Sequence, residues 1–153
     1  MIATFQPCEL KGSIDAPPSK SMAHRYLIGA ALSGEVCQIS GIDYSEDILA
    51  SIDCLRTLGT KITIKDEVLI IEPEDFMKKQ NSPVLQCRES GSTLRFFIPL
   101  LLCLGKEVIL RGSERLFERP LDVYEEICNQ NNFMFEKDAK TVKLCGNLVS
   151  GNY

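Results

Sequence analysis

The stretch "EVCQISGIDYSEDILASIDCLRTLGTKITIKDEVLIIEP", Glu35 to Pro73, lays out four elements in a row. "EVCQISGI" is rich in β-branched residues and predicts a strand. Ser45 suits the cap of a helix over "EDILASIDCLRTLG". Glu46 and Asp47 fall in its first turn, where the helix dipole favours carboxylates, and Gly59 ends it. "KITIKD" and "EVLIIEP" then read as two short strands joined tightly at Lys65 and Asp66. Upstream, Met22, Tyr26 and Ala30, and Ala23, Leu27 and Ala31, recur at i, i+4 spacing. That spacing predicts a helix over Lys20 to Leu32 with a broad apolar face, stopped by Gly34.

Downstream of the linker "EDFMKKQNSPV" the same order returns. "VLQC" reads as a strand, "GSTLRFFIPLLLCLG" as a helix ending at Gly105, and "KEVILRG" as a strand. "RPLDVYEEICNQN" reads as a helix with Pro120 in its first turn, and "NFMFEKD" and "KTVKLCG" as a closing strand pair. Each half thus reads strand, helix, strand, helix, strand, strand, an internal repeat of about 70 residues. Arg25 and Arg95 fall at matching places in it. The second half's first helix is apolar on nearly all sides, so it belongs inside the molecule, with Pro99 expected to bend it. Buried first helices and outer sheets reverse the usual α/β layering.

Composition narrows the functional classes. A net charge of -4 over 153 residues leaves no broad basic stripe for a nucleic-acid backbone. The 7 cysteines include no CxxC pair, and the single histidine, His24, cannot complete a zinc set alone. They read as free thiols in a reducing compartment, which points to the cytosol. The N-terminus lacks the basic-then-apolar order of a signal peptide, and the apolar run "LRFFIPLLLCLG" is too short to cross a bilayer.

Any anion site is therefore a local cluster, and "PPSKSMAHRYLIGAALSG" supplies one. A helix start leaves about four backbone N–H groups unpaired and carries roughly half a positive charge. Lys20 adds a point charge, Ser21 a hydroxyl, and Arg25, four residues on, a fork suited to phosphate oxygens. In "ESGSTLR", Gly91 and Arg95 repeat the spacing, with Gly91 allowing close approach to the backbone and Ser92 beside it. A third cluster, Arg111, Arg115 and Arg119 in "RGSERLFERPL", reads as a polar loop after a strand. His24 reads as a hydrogen-bonding or packing residue. Glu89 fits a cap, a partner of Arg95 or a ligand contact equally well.

Three segments in order, "PPSKSMAHRYLIGAAL", "ESGSTLRF" and "ERLFERPL", resemble motifs of the enolpyruvyl transferase family. The resemblance implies an inside-out α/β barrel whose lobes are each built of three βαβαββ units, about two of the six being present here. It implies units over 13–75 and 84–147, a strand segment over 1–12 belonging to the other lobe, and the start of a third unit over 148–153. It further implies metal-free transfer of the carboxyvinyl group of phosphoenolpyruvate, without a cofactor, by addition and elimination in a cytoplasmic, monomeric enzyme. The Lys-Ser-x-x-x-Arg grip is similar to that of members whose acceptor is shikimate 3-phosphate, in the route to aromatic amino acids. Members acting on UDP-N-acetylglucosamine are the alternative, and a non-catalytic anion-binding domain is another. On this resemblance Lys20 is catalytic and touches both substrates, Ser21 and Arg25 hold shikimate 3-phosphate, and Gly91 and Arg119 hold phosphoenolpyruvate. Glu89 stands where many members have asparagine. The family's second-lobe groups for proton transfer have no counterpart here, so this chain alone is expected to be inactive.

Overall fold

A computed structural model of the chain describes residues 3, 4, 6, 7, 9, 11–73, 76 and 82–151. Met1, Ile2, Phe5, Cys8 and Leu10, most of the linker and the last two residues of the expected third unit lie outside them. The elements run α1 (Lys20–Leu32), β1 (Cys37–Ile39), α2 (Glu46–Thr57), β2 (Lys61–Lys65), β3 (Val68–Glu72), β4 (Val84–Arg88), α3 (Gly91–Leu102), β5 (Val108–Gly112), α4 (Glu114–Phe117), α5 (Asp122–Gln130), β6 (Met134–Lys137) and β7 (Thr141–Cys145).

The strands form two sheets, ordered β1-β3-β2 and β4-β5-β7-β6. β2 and β3 are joined by Asp66 (φ 48°) and Glu67 (φ 64°), with Lys65 paired to Val68. Two successive left-handed residues are the turn that matches the right-handed twist of a two-residue hairpin. Superposed by strand order, β1, β3 and β2 take the places of β5, β7 and β6. The fourth place, held in the second sheet by β4 running parallel to β5, is open in the first. The strand expected ahead of α1 is therefore absent among the described residues. In β4, Leu85 and Cys87 alternate inward and are fully buried. From Lys11 to Ser19, ahead of α1, the chain offers one large apolar side chain, Ile14, which is 94% exposed, and then two prolines that have no N–H for a ladder. A groove of about 440 Å³, lined in part by Tyr26, Gly29 and Ile39, runs between α1 and β1.

α1, α2 and α3 pack on one another and together touch both sheets, so the helices lie between the sheets as the apolar patterning requires. Leu27 of α1, Ile48, Ile52 and Leu55 of α2, and Phe97, Ile98 and Leu101 of α3 are fully buried together with Leu69, Ile71, Leu110 and Leu144 from the sheets. α3 ends at Leu102 rather than at Gly105, with Pro99 inside it. "RGSERLFERPL" is not a plain loop: Glu114–Phe117 form a single helical turn capped by Ser113, whose Oγ accepts from the Leu116 amide at 3.2 Å. Pro120 lies ahead of α5 rather than in its first turn, because the helix begins at Asp122. All six described cysteines are free; Cys54, Cys87 and Cys128 are buried, but Cys103 is exposed. No helix among the described residues is long and apolar enough to cross a membrane.

Candidate functional site

α1 starts at a Ser19 cap whose Oγ accepts from the Met22 amide at 3.4 Å. Lys20 is the first helical residue, and its Nζ donates to Asp47 Oδ2 of α2 at 3.2 Å. Both side chains stay partly exposed, so the bond orients the ammonium more than it stabilises the fold. One turn on, Arg25 Nη1 donates back to the Ser21 carbonyl at 3.1 Å. The Arg25 guanidinium lies over the Phe96 ring of α3, 5.3 Å from its centroid. This cation–π contact brings the charged face of α1 against the first turns of α3.

α3 reaches the same face by a different route. Arg88 ends β4 at a bulge with φ 53°, a left-handed conformation unusual for a side-chain-bearing residue. Its guanidinium is pinned to Glu46 and, at 2.7 Å, to Asp53 of α2. Its carbonyl accepts from the Ser113 amide at 3.0 Å. The chain thereby swings out of the sheet through Glu89 into the Ser90 cap, whose Oγ accepts from the Thr93 amide at 3.1 Å. Gly91 follows as the first helical residue. A Cβ there would collide with Arg119 Nη1 and stand 3.1 Å from Arg95 Nη1. Two guanidinium groups therefore converge on bare backbone at the positive end of a helix, which suits a compact dianion.

Of the three arginines in the third cluster, Arg119 is the one that reaches Gly91; Arg111 belongs to β5 and Arg115 to α4. Arg95 donates to the Pro120 carbonyl at 3.4 Å, and Tyr124 donates to the Arg95 carbonyl at 3.3 Å, so α5's approach is tied to α3. Glu89 is exposed and is not the cap, since Ser90 takes that role. Ser21 and Ser92 are exposed at the two helix starts. Counted from the caps, Arg95 matches His24 and Arg25 matches Phe96, so the arginines are offset by one residue rather than equivalent.

Beneath this face lies a set of polar residues that motif spacing missed. His24, 1% exposed, places Nδ1 2.8 Å from Ser51 Oγ of α2, and Ser51 Oγ lies 2.8 Å from Thr93 Oγ1 of α3. Thr93 Oγ1 is also 2.7 Å from Ser90 Oγ and 3.2 Å from the Asp47 carbonyl oxygen. Burial holds the His24 pKa below its ordinary value; Asp47 opposes that shift and Lys20 adds to it. Asp47 had been legible only as a complement to the helix dipole. Ser51, a hydroxyl on the otherwise apolar face of α2 four residues beyond Asp47, was the available signal.

The family model described as EPSP synthase (3-phosphoshikimate 1-carboxyvinyltransferase) matches residues 5–142. A 3-phosphoshikimate 1-carboxyvinyltransferase of Clostridium perfringens (strain ATCC 13124) is 41% identical over 149 residues, which cover 96% of this chain and 35% of that protein. One from Clostridium kluyveri is 40% identical over 154 residues, covering 98% and 35%. The solved EPSP synthase of Acinetobacter baumannii superposes with a TM-score of 0.73 at 20% identity, over 88% of this chain and 32% of that one, and so shares the fold. The chain thus spans about a third of the length of the relatives it matches. With the family model covering most of its length, the chain belongs to the EPSP synthase family.

Proposed function

We propose that this chain forms one face of the active site of a 3-phosphoshikimate 1-carboxyvinyltransferase, which moves the enolpyruvyl group of phosphoenolpyruvate onto shikimate 3-phosphate and releases phosphate. The observation that carries this reading is the convergence of Arg119 and Arg95 on Gly91 at the start of α3. It forms a dianion cradle beside the Lys20–Arg25 face, which Arg25 joins to α3 through Phe96. Phosphoenolpyruvate sits on the Gly91 backbone with Arg119 grasping its anionic groups, and Arg95 adds charge. Ser21 and Arg25 take the 3-phosphate of the acceptor. Lys20, oriented by Asp47, stands between the two substrates and neutralises the charge that builds up as they approach. These roles are binding, orientation and charge neutralisation; no proton transfer is assigned to this chain.

In this reading residues 13–75 and 84–147 are two repeat units of one lobe, and the remaining partners of each substrate come from parts of the longer relatives that this chain does not span. Calorimetric titration of the chain with shikimate 3-phosphate, phosphoenolpyruvate and UDP-N-acetylglucosamine tests it. Binding of the first two, weakened by Lys20→Met, and no phosphate release from their mixture are expected. A preference for UDP-N-acetylglucosamine over shikimate 3-phosphate would sink the assignment of the acceptor. Phosphate release by the chain alone would sink its assignment as half of a site.

A further inference from the structure

Four of the five buried polar residues among those described, His24, Ser51, Ser90 and Thr93, are not scattered through the core but joined in one chain. Followed outward, the chain closes on itself. Lys20 of α1 reaches the Asp47 carboxylate, the Asp47 carbonyl meets Thr93 of α3, Thr93 meets Ser51 of α2, and Ser51 meets His24, one turn below Lys20 on α1. Three helices are thus fastened by a ring of polar links in a region that apolar side chains would otherwise fill. A buried polar network that is fully satisfied holds its elements in one arrangement, since any slip leaves a donor or acceptor unpaired in a low dielectric.

We propose that His24, Ser51 and Thr93 are positioning residues that set the start of α3, with its Gly91 cradle, in register with the Lys20 face of α1. The hydroxyls make the link directional. With a neutral imidazole accepting at Nδ1, Ser51 donates to His24. With a protonated imidazole, Nδ1–H donates to Ser51, whose hydroxyl turns to Thr93. Because Thr93 has one proton and touches Ser90, Ser51 and the Asp47 carbonyl, that reversal is felt at the cap of α3. The charged groups facing the ring are Lys20 from its own helix and Asp47 from α2, while α3 presents the Phe96 ring, 5.9 Å away centroid to centroid. The meaning of the relay for catalysis rests on the anion-site reading above, but its existence does not.

The test therefore uses the ligand-free chain, with nuclear magnetic resonance of the His24 ring nitrogens and of the Gly91 amide followed from pH 8 downward. In the wild type the Gly91 signal is expected to move with the midpoint of the ring. In Thr93→Val, which keeps the shape and removes the hydroxyl, the ring signature at pH 7.5 shifts and the Gly91 signal loses its pH-dependent displacement. Thr93→Ser restores both. If Thr93→Val does not fold, Ser51→Ala is expected to show the same loss. A Gly91 signal indifferent to the ring in the wild type, or a Thr93→Val protein whose ring and Gly91 signals behave as the wild type's do, overturns the relay. Neither outcome touches the binding titrations of the previous section.

Discussion

The two helices that carry the candidate site are capped alike and loaded differently. Ser19 and Ser90 each accept the amide three residues on, yet α1 then places a lysine where α3 places a glycine. α1 carries its own charge as Lys20 and Arg25. α3 offers bare backbone, and one of its two guanidinium groups, Arg119, comes from the segment after α4. A charge on the helix itself can be steered by a neighbour, as Asp47 steers Lys20. A backbone cradle is fixed by everything that holds the helix start, which here includes the Arg88 turn and the buried hydroxyls.

Matched substitutions at cap-aligned positions put this contrast to the test. Seven residues beyond the caps stand Tyr26, 55% exposed, and Phe97, fully buried. Phe97→Ala is expected to lower stability by about 3–5 kcal/mol and Tyr26→Ala by less than about 1 kcal/mol, both read by urea unfolding. Comparable losses would mean that α1 is as deeply seated as α3. At the first helical position, Gly91→Ala pushes aside the end of the Arg119 side chain at little cost to folding. It is expected to weaken phosphoenolpyruvate binding about 10- to 100-fold, the worth of a charge-assisted hydrogen bond. Shikimate 3-phosphate binding should hardly change, whereas Lys20→Met weakens both in the same titration.

The caps themselves differ in setting. Ser90 is 1% exposed and bonded to Thr93 as well as capping, whereas Ser19 caps at the surface over a longer bond. Ser90→Ala is expected to cost about 1–2 kcal/mol and Ser19→Ala about 0.5 kcal/mol, measured by thermal unfolding; equal losses would remove the distinction. Five residues beyond the caps, α1 has a titratable His24 where α3 has Arg95. Burial lowers the folded-state pKa of His24, so the unfolded chain binds the proton first. The stability that a neutral His24 contributes is complete above about pH 6.5 and declines as pH falls from there toward the lowered folded value. Urea midpoints measured across that window should fall in the wild type and flatten in His24→Gln.

Much of this was legible before any coordinates. The order of elements from β1 to β3 and, apart from the single turn α4, from β4 to β7 follows from periodicity and glycine stops, and Gly91 and Arg119 were already singled out by motifs of the family resemblance. What stayed hidden depended on partners far apart in sequence. Asp47 could be seen as a favourable charge at a helix start, not as the residue that holds Lys20. Ser51 and Thr93 are ordinary helix residues until the helices cross and bring their hydroxyls together. The one-residue offset between Arg25 and Arg95 escaped because residue spacing shows faces, while the caps that set the phase become visible only in three dimensions. The strand missing ahead of α1 was inferred from the symmetry of the repeat, which "SIDAPP" does not have the side chains or N–H groups to sustain.

That open place beside β1 has a consequence for how the molecule breathes. Among the described residues β5 is laced to a neighbour on each side, whereas β1 is a three-residue strand held by β3 alone. Local opening is easiest where the fewest rungs must break at once. The amides of Cys37 to Ile39 should therefore trade their hydrogens for solvent deuterium well before those of Val108 to Gly112. The half that carries Lys20 and Arg25 is then the softer half, and the Gly91 cradle rides on the more durable one.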